Sequence, residues 1–237
     1  MKAQARTELL LALRRGENVL VMLVIPVGVL VFFSKVDEVP TSFDNPIEFL
    51  VPGVLALAVM ASAMVSLGIS TGFERRYGVL KRLGSTPLAR SGLLAAKTAT
   101  VLVLVSLQIV VITLTGIALG WEADGGVFAA VALLLLGTVA FAGVGMLMAG
   151  TLRAEANLAL ANGLFLVLLF LGGMAYPLDD LPGPIEAFAK LLPAAALSET
   201  VRAALTDKTF PVDALVVLVA WAIAAPLAAA RFFRWEE

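Results

Sequence analysis

The sequence predicts an all-α integral membrane protein with six transmembrane helices. Of its 237 residues, 60% are hydrophobic and only 15% are charged, whereas a soluble domain is usually about 45–50% apolar and about 25% charged. The mean hydropathy is +0.98. This excess of apolar residues is too large for an ordinary core, so a lipid-facing surface is the simplest explanation. We interpret residues 1–237 as a single membrane domain.

Six charge-free runs supply the predicted spans. A helix needs about 20 apolar residues to cross the ~30 Å hydrocarbon core of a bilayer. The long runs without Asp, Glu, Lys or Arg are Asn18–Ser34, Phe49–Phe73, Thr98–Trp121, Gly125–Leu152, Ala156–Leu178 and Ala214–Ala230. The first run resembles the apolar part of a signal peptide, but no small-x-small cleavage site follows it, which favours a span.

Lys and Arg residues set the predicted orientation, because they accumulate on the cytoplasmic side of membranes. With the N-terminus inside, thirteen of the 17 Lys and Arg residues fall on the inner side. Placing the basic stretch with Arg231 and Arg234 inside as well requires an even number of spans. We therefore expect a multi-pass protein with both termini in the cytoplasm.

Residues 1–17 are predicted to form an amphipathic helix on the inner membrane surface. Leu9, Leu10 and Leu13 fall on one side of such a helix. Glu8 and Arg15 share the other side, as interfacial helices require. A charged flank that only sets the topology of the first span is the alternative, and the two interpretations are compatible.

Residues 73–97, between the second and third spans, form the most informative stretch of the chain. They carry six positive charges against one negative charge, that of Glu74. On a helix, Phe73, Tyr77 and Leu80 fall along one face. A loop needed only for topology requires positive charge but not this apolar pattern, so we expect a structured cytosolic elbow that docks on a partner.

The same stretch contains a stop and a start signal for helices. Gly84 can end the first helix of the elbow. Thr86 and Pro87 have the types of residue found at an N-cap and at the first helical position. A second helix is therefore expected to begin there and to run into the third span.

Residues 179–213, between the last two spans, are predicted to form a re-entrant hairpin. Pro193 divides this segment, with Glu186 and Lys190 as an i,i+4 pair on one side and an apolar stripe at Leu197 and Val201 on the other. Each half has about 9–12 residues, or about 14–18 Å of helix, so neither can cross a bilayer. We expect two short helices that close the extracellular end of a pathway. An external cap with a purely structural role is the alternative.

The sequence holds little chemistry of its own. It has no His and no Cys, which excludes imidazole acid–base chemistry and thiolate nucleophiles. No P-loop, GxSxG or HExxH motif occurs. Within the spans, Tyr176 near one edge is the sole ionisable residue, whereas ion-coupled transporters usually carry charged residues there. We therefore do not expect an enzyme, and the energy for any transport is expected to come from a partner.

Several polar or special residues in and beside the spans are candidates for a pathway or a gate. Gln108 is costly to bury in a membrane and should have a partner. Serines at i, i+4 and i+8 of the second span either line a path or bond back to their own helix, and the glycines of the fourth span favour close helix packing. The candidate set is Ser62, Ser66, Gln108, Tyr176, Pro177 and Pro193.

Two motifs indicate a family. The first is Glu74-Arg75-Arg76-x-Gly78-x-Leu80-Lys81-Arg82-Leu83 with Thr86-Pro87-Leu88. The second is Gly172-Gly173-x-x-Tyr176-Pro177-x-x-x-Leu181-Pro182, followed by Leu191-Leu192-Pro193 and Glu199-x-x-Arg202. With an amphipathic helix, six spans and a re-entrant outer hairpin in this order, the whole chain resembles the membrane subunit of a type-2 ABC exporter, the ABC-2 permease family. One departure is Ala96-Lys97, where that family often has Gly-Lys.

The resemblance implies a half-transporter in a prokaryotic cell membrane. Two permease subunits and two ATP-binding subunits would then export a hydrophobic or amphipathic substrate such as a drug, an antibiotic or a lipid. ATP and Mg would bind to the partner subunit, and this chain would bind no cofactor or metal. The residues that the resemblance assigns to docking on the ATPase subunit are Glu74, Arg75, Arg76, Tyr77, Gly78, Leu80, Lys81, Arg82, Thr86 and Pro87.

Two other classes of function remain open on the sequence alone. A secondary transporter or channel would work without an ATPase partner. A membrane-embedded enzyme is disfavoured, because no nucleophile, metal cluster or acid–base pair is visible.

Overall fold

Helices make up every regular element in the part of the chain that the structure describes. The computed structural model describes residues 16–35, 46–84, 90–122, 125–174, 177–206 and 210–235. Its α-helices are α1 (Gly16–Phe33), α2 (Pro46–Met60), α3 (Leu67–Arg76), α4 (Val79–Gly84), α5 (Arg90–Ala118), α6 (Val127–Thr151), α7 (Ala154–Leu171), α8 (Gly183–Ala189), α9 (Pro193–Leu205) and α10 (Val212–Phe232). A π-helical segment, Ala61–Ser66, joins α2 to α3. The all-α prediction is confirmed, while the predicted interfacial helix lies almost wholly outside the described residues.

Five helices among the described residues are long and apolar enough to cross a membrane. They are Pro46–Arg76, Gly92–Ala118, Val127–Thr151, Ala154–Leu171 and Val212–Phe232, and they match the second to sixth predicted spans. The first predicted span corresponds to α1, whose 18 residues extend about 27 Å. Its apolar part, Met22–Phe33, is shorter than a span. Five spans are therefore supported, and a sixth through α1 stays a prediction.

Two helices extend beyond the charge-free runs. α3 continues past Phe73 to Arg76, and α5 begins at Arg90, well before Thr98. A charge-free run measures only apolar length, whereas a helix continues through charged residues when these reach water or an opposite charge. Both extensions lie on the elbow side of the bundle, so the second and third spans project beyond their apolar parts.

α7 is shorter than predicted, because a pair of glycines follows it. The helix ends at Leu171, whereas the charge-free run continues to Leu178. Gly173 has a φ of +64°, a left-handed conformation that glycine adopts readily and that commonly ends helices. The turn after α7 therefore belongs to the segment between the fifth and sixth predicted spans and not to the fifth span itself.

α6 lies at the centre of the bundle. It packs against α10, α3, α9, α5, α2 and the π-helical segment. Its glycines allow this closeness: a Cβ added to Gly145 would lie 2.6 Å from the carbonyl oxygen of Met64, and one added to Gly143 would lie 2.5 Å from the nitrogen of Pro226. Because real Cβ atoms do not approach other atoms so closely, the predicted packing role of these glycines is confirmed.

The residues after α10 fold back on α6. Phe233 is only 1% exposed, and a Cβ added to Gly150 would lie 2.5 Å from its ring. The backbone N–H of Arg234 donates to the carbonyl oxygen of Gly150 at 3.1 Å. The C-terminal end of α6 is therefore covered by the residues that follow α10.

α8 and α9 form two separate short helices, as predicted. Pro193 is the first residue of α9, a position where its missing N–H costs no helical hydrogen bond. α9 is buried along most of its length and packs against α6, α10, α2 and α7. It is thus a core element of the bundle, which argues against a loosely attached external cap.

The hairpin of α8 and α9 reaches about halfway along the neighbouring spans. A Cβ added to Gly137, ten residues after the start of α6, would lie 2.7 Å from Leu197 of α9. The indole Nε1–H of Trp221, nine residues after the start of α10, donates to the carbonyl oxygen of Leu191 at 3.0 Å. At 1.5 Å per residue, these contacts lie about 14–15 Å from the N-terminal ends of the two helices.

Candidate functional site

The elbow contains a sharp break that the sequence interpretation did not include. We expected one helix to carry Phe73, Tyr77 and Leu80 on a common face and to end at Gly84. Instead, α3 ends at Arg76, and α4 begins after a turn at Tyr77 and Gly78, where Gly78 has a φ of +70°. This left-handed conformation cannot continue an α-helix and favours glycine. The expectation of a single helix is therefore wrong. α4 is described as far as Gly84, and the predicted stop at that residue stays a prediction.

The break splits the predicted apolar face. The rings of Phe73 and Tyr77 stack with their centroids 6.1 Å apart, and Tyr77 is 70% exposed. Leu80, by contrast, is fully buried and belongs to the core of the bundle. α4 instead directs Val79, Lys81 and Arg82 outward. We call Tyr77, Val79, Lys81 and Arg82 the elbow surface.

Several charged residues of the elbow bind to groups of the same chain. Lys97 of α5 donates to Glu74 at 2.7 Å, and the Lys97 side chain is only 3% exposed. Arg76 forms an ion pair with Glu155 at the start of α7. Arg75 is buried, so it contributes to the fold of the subunit and not to the elbow surface.

The connection from α3 to α7 is made mainly by buried hydrogen bonds. The Nη2–H of Arg75 donates to the carbonyl oxygen of Leu152 at 2.5 Å, just before α7. The Nδ2–H of Asn157, within α7, donates to the carbonyl oxygen of Gly68 in α3 at 2.8 Å. Asn157 is fully buried. The sequence interpretation missed Asn157, because a single Asn in an apolar run gives no sign of which helix it faces.

Thr86, Pro87 and Tyr176 lie outside the described residues. The predicted helix start at Thr86 and Pro87, and the part of Tyr176 in a gate, therefore stay predictions. Pro177 is described and is half-buried, next to the 3-10 turn Leu178–Asp180.

A second cluster lies where α7 meets α9, at the end of the bundle opposite the elbow. The Ser198 hydroxyl donates to the carbonyl oxygen of Gly172, and Arg202 Nη2 donates to that of Gly173 at 2.7 Å. The guanidinium of Arg202 also lies 4.1 Å from the ring centroid of Phe49 in α2, a cation–π contact. The sequence interpretation quoted Arg202 as part of a motif but gave it no role, and Phe49 carried no signal.

Gln108 has the partner that its burial requires. The Ser62 hydroxyl donates to Gln108 Oε1 at 2.8 Å, and Gln108 Nε2 donates to the carbonyl oxygen of Met22 at 2.9 Å. Met22 precedes Pro26 by four residues within α1, so its carbonyl lacks the usual helical donor. Gln108 therefore replaces the hydrogen bond that Pro26 removes, and its amide is used within the fold.

The other serines of the second span have different surroundings. Ser70 donates to the carbonyl oxygen of Leu67 in its own helix. Ser66 is half-buried at the end of the π-helical segment. Because Ala61–Ser66 is π-helical, the i,i+4 spacing does not place these serines on one straight stripe.

The predicted pair in α8 is present. The Lys190 ammonium donates to Glu186 Oε1 at 2.5 Å, and the side chains of Lys190 and Glu186 are 46% and 26% exposed.

Comparisons with known protein sequences identify related membrane transporters. The family described as "ABC-2 type transporter" matches residues 1–206. A protein named "Putative transport permease YvfS" from Bacillus subtilis (strain 168) is 28% identical over 203 residues, which cover 81% of this chain and 80% of that protein. "ABC transporter G family member 20" from Dictyostelium discoideum is 30% identical over 172 residues, or 69% of this chain but only 23% of that protein.

Proposed function

Because the chain belongs to the ABC-2 type transporter family, we propose that it forms an ATP-driven exporter with a second permease subunit and two ATP-binding subunits. Membership makes the chain the membrane subunit of an ABC transporter, with ATP hydrolysis on a separate subunit. The proposed substrate is hydrophobic or amphipathic, such as a drug, an antibiotic or a lipid. The proposed location is the plasma membrane of a prokaryote, with both termini in the cytoplasm.

The elbow surface is the observation that supports docking of the ATP-binding subunit. It combines an aromatic ring that is 70% exposed, that of Tyr77, with Val79 at 44% exposure and two exposed positive charges at Lys81 and Arg82. Large exposed apolar groups are unfavourable in open cytosol, whereas in an interface they fill a groove and the charges fix the orientation. The surface thus suits a protein partner with a complementary acidic patch.

The contacts of α3 provide a route from the elbow into the bundle. Arg75 and Asn157 join α3 to α7 and to the turn before it, and Lys97 joins α3 to α5. A displacement of the elbow surface would therefore reach α5 and α7 together. Transmission through Thr86 and Pro87 into the third span remains part of the proposal.

Charge reversal on the elbow surface tests docking. Lys81→Glu with Arg82→Glu should leave expression and membrane insertion unchanged, because both residues are exposed. It should strongly reduce co-purification of the ATP-binding subunit and abolish ATP-dependent transport. Arg75 is unsuitable for this test, because its substitution would also break the buried hydrogen bond to Leu152.

Arg231→Glu with Arg234→Glu is the matched control. These two residues are also exposed and are expected on the same side of the membrane, so the control changes net charge by the same amount. The proposal fails if both double variants retain the ATP-binding subunit at the wild-type level, or if both lose it equally.

A further inference from the structure

The depth of the α8–α9 hairpin follows from its contacts with α10. Arg231, near the inner end of α10, is exposed and charged, so it marks the boundary of the hydrocarbon. Trp221 lies ten residues before Arg231, about 15 Å away along the helix and thus near the middle of a ~30 Å hydrocarbon core. The hydrogen bond from Trp221 to the carbonyl oxygen of Leu191 holds the turn between α8 and α9 at this depth.

The packing of α9 on α6 gives the same depth independently. Leu197 lies against Gly137, which is ten residues from the outer end of α6 and fourteen from its inner end. Two different spans therefore place the hairpin near mid-membrane, one at Leu191 and the other at Leu197. A position of the hairpin on the outer surface is inconsistent with both contacts.

Charged side chains stand at the tip of the hairpin. Lys190 directly precedes Leu191, and its ion pair with Glu186 leaves the two side chains 46% and 26% exposed in the isolated subunit. Charged residues at membrane depth almost always face the interior of the bundle or a water-filled cavity, because exposure to lipid is costly. Because both side chains are partly exposed, they do not lie in the interior of this subunit.

α8 separates two kinds of surface. Ile185, Phe188 and Leu191 are exposed apolar residues at 44%, 56% and 61%, whereas Glu186 and Lys190 lie one helical turn apart on another face. A helix with one apolar and one charged exposed face suits a boundary between lipid and water. In this protein, that boundary lies within the membrane and not at its surface.

We infer that the charged face of the hairpin, formed by Glu186 and Lys190, borders a water-filled cavity that extends from the outer surface to mid-membrane. This cavity is the outer part of the transport path, and the inference rests on the proposed function for that role. The apolar face of α8 would then separate the cavity from lipid. A substrate that moves outward through the cavity would pass the ion pair before it reaches the outer surface.

The absence of cysteine from the sequence makes a direct test possible. Single variants Lys190→Cys and Glu186→Cys are exposed in intact cells to methanethiosulfonate reagents that carry a charge and cannot cross membranes. Asp180→Cys, exposed beside the hairpin, is the positive control. Ile223→Cys, 57% exposed and two residues from Trp221, is the control for lipid-facing positions at the same depth.

The inference expects both tip variants to react with cationic and anionic reagents, while Ile223→Cys stays unreactive. It is overturned if the tip variants are inserted at the wild-type level but resist both reagents under conditions in which Asp180→Cys reacts. Reaction of Ile223→Cys would also overturn it, because the hairpin would then lie near the surface. Loss of ATPase co-purification from wild type would refute the proposed function and leave these reactivities unaffected.

Discussion

Single buried polar residues in this protein repair backbone defects and join distant helices. Pro26 interrupts the hydrogen bonding of α1, and the side chain of Gln108 in α5 supplies a replacement donor to the carbonyl oxygen of Met22. Ser62 holds the Gln108 amide from the opposite side. In lipid, no water is present to satisfy such a carbonyl, so a neighbouring side chain has to do it.

This arrangement predicts a dependence between two substitutions. Gln108→Leu should destabilise the permease by about 1–3 kcal/mol, because it leaves the buried carbonyl of Met22 without a donor. In a Pro26→Ala background, the restored N–H of residue 26 should satisfy that carbonyl, so Gln108→Leu should cost less. Thermal unfolding in nanodiscs measures both effects. Equal losses in the two backgrounds would contradict the repair role, and Ser106→Ala, at an exposed serine of α5, is the control.

At the scale of elements, the sequence predicts the helices better than their ends. Charge-free runs identified α2 with α3, α5, α6, α7 and α10, because burial in lipid imposes a composition on a whole span. The runs missed the extension of α3 to Arg76 and the early end of α7 at Leu171. The extension of α3 depends on the ion pair of Glu74 with Lys97, and the early end of α7 depends on the left-handed backbone of Gly173. The amino-acid composition of a span predicts neither feature.

The joint between α3 and α7 leads to a prediction for matched asparagines. Asn157→Leu should destabilise the permease by about 1–3 kcal/mol, because the residue is buried and its amide joins α7 to α3. Asn162→Leu should be nearly neutral, because Asn162 is exposed and its amide bonds only to Leu158 of the same helix. Thermal unfolding of the two variants in nanodiscs measures the loss of stability in each. Comparable losses would show that α7 does not depend on the buried joint.

At the scale of the whole molecule, the predicted orientation has a direct test. Because the sequence has no Cys, a single Cys reports its own position. Asp180→Cys should react with an impermeant reagent in intact cells, whereas Ser85→Cys should react only after lysis, since Lys and Arg favour the cytoplasmic side. Reaction of Ser85→Cys in intact cells would reverse the orientation.

The contacts between the helices were harder to predict from the sequence than the helices themselves. The contacts of Arg202 with Gly173 and Phe49 join residues 29 and 153 positions apart, and one sequence has no signal for such pairs. The elbow was recognised from its charge, but its outward surface depended on the turn at Gly78. The hairpin was recognised from Pro193, but its depth became known only through Trp221 and Gly137.

The central position of α6 has a consequence for the order of synthesis. α10, which packs against Gly143 of α6, begins 61 residues after α6 ends. During translation, α6 therefore enters the membrane several seconds before its main neighbour exists, at roughly 5–20 residues per second. Gly143 is then covered only by lipid or by the insertion machinery, whereas Gly145 already has its neighbour Met64. α10 therefore completes the packing of α6, and a ribosome that stalls before α10 leaves an open groove for quality control to recognise.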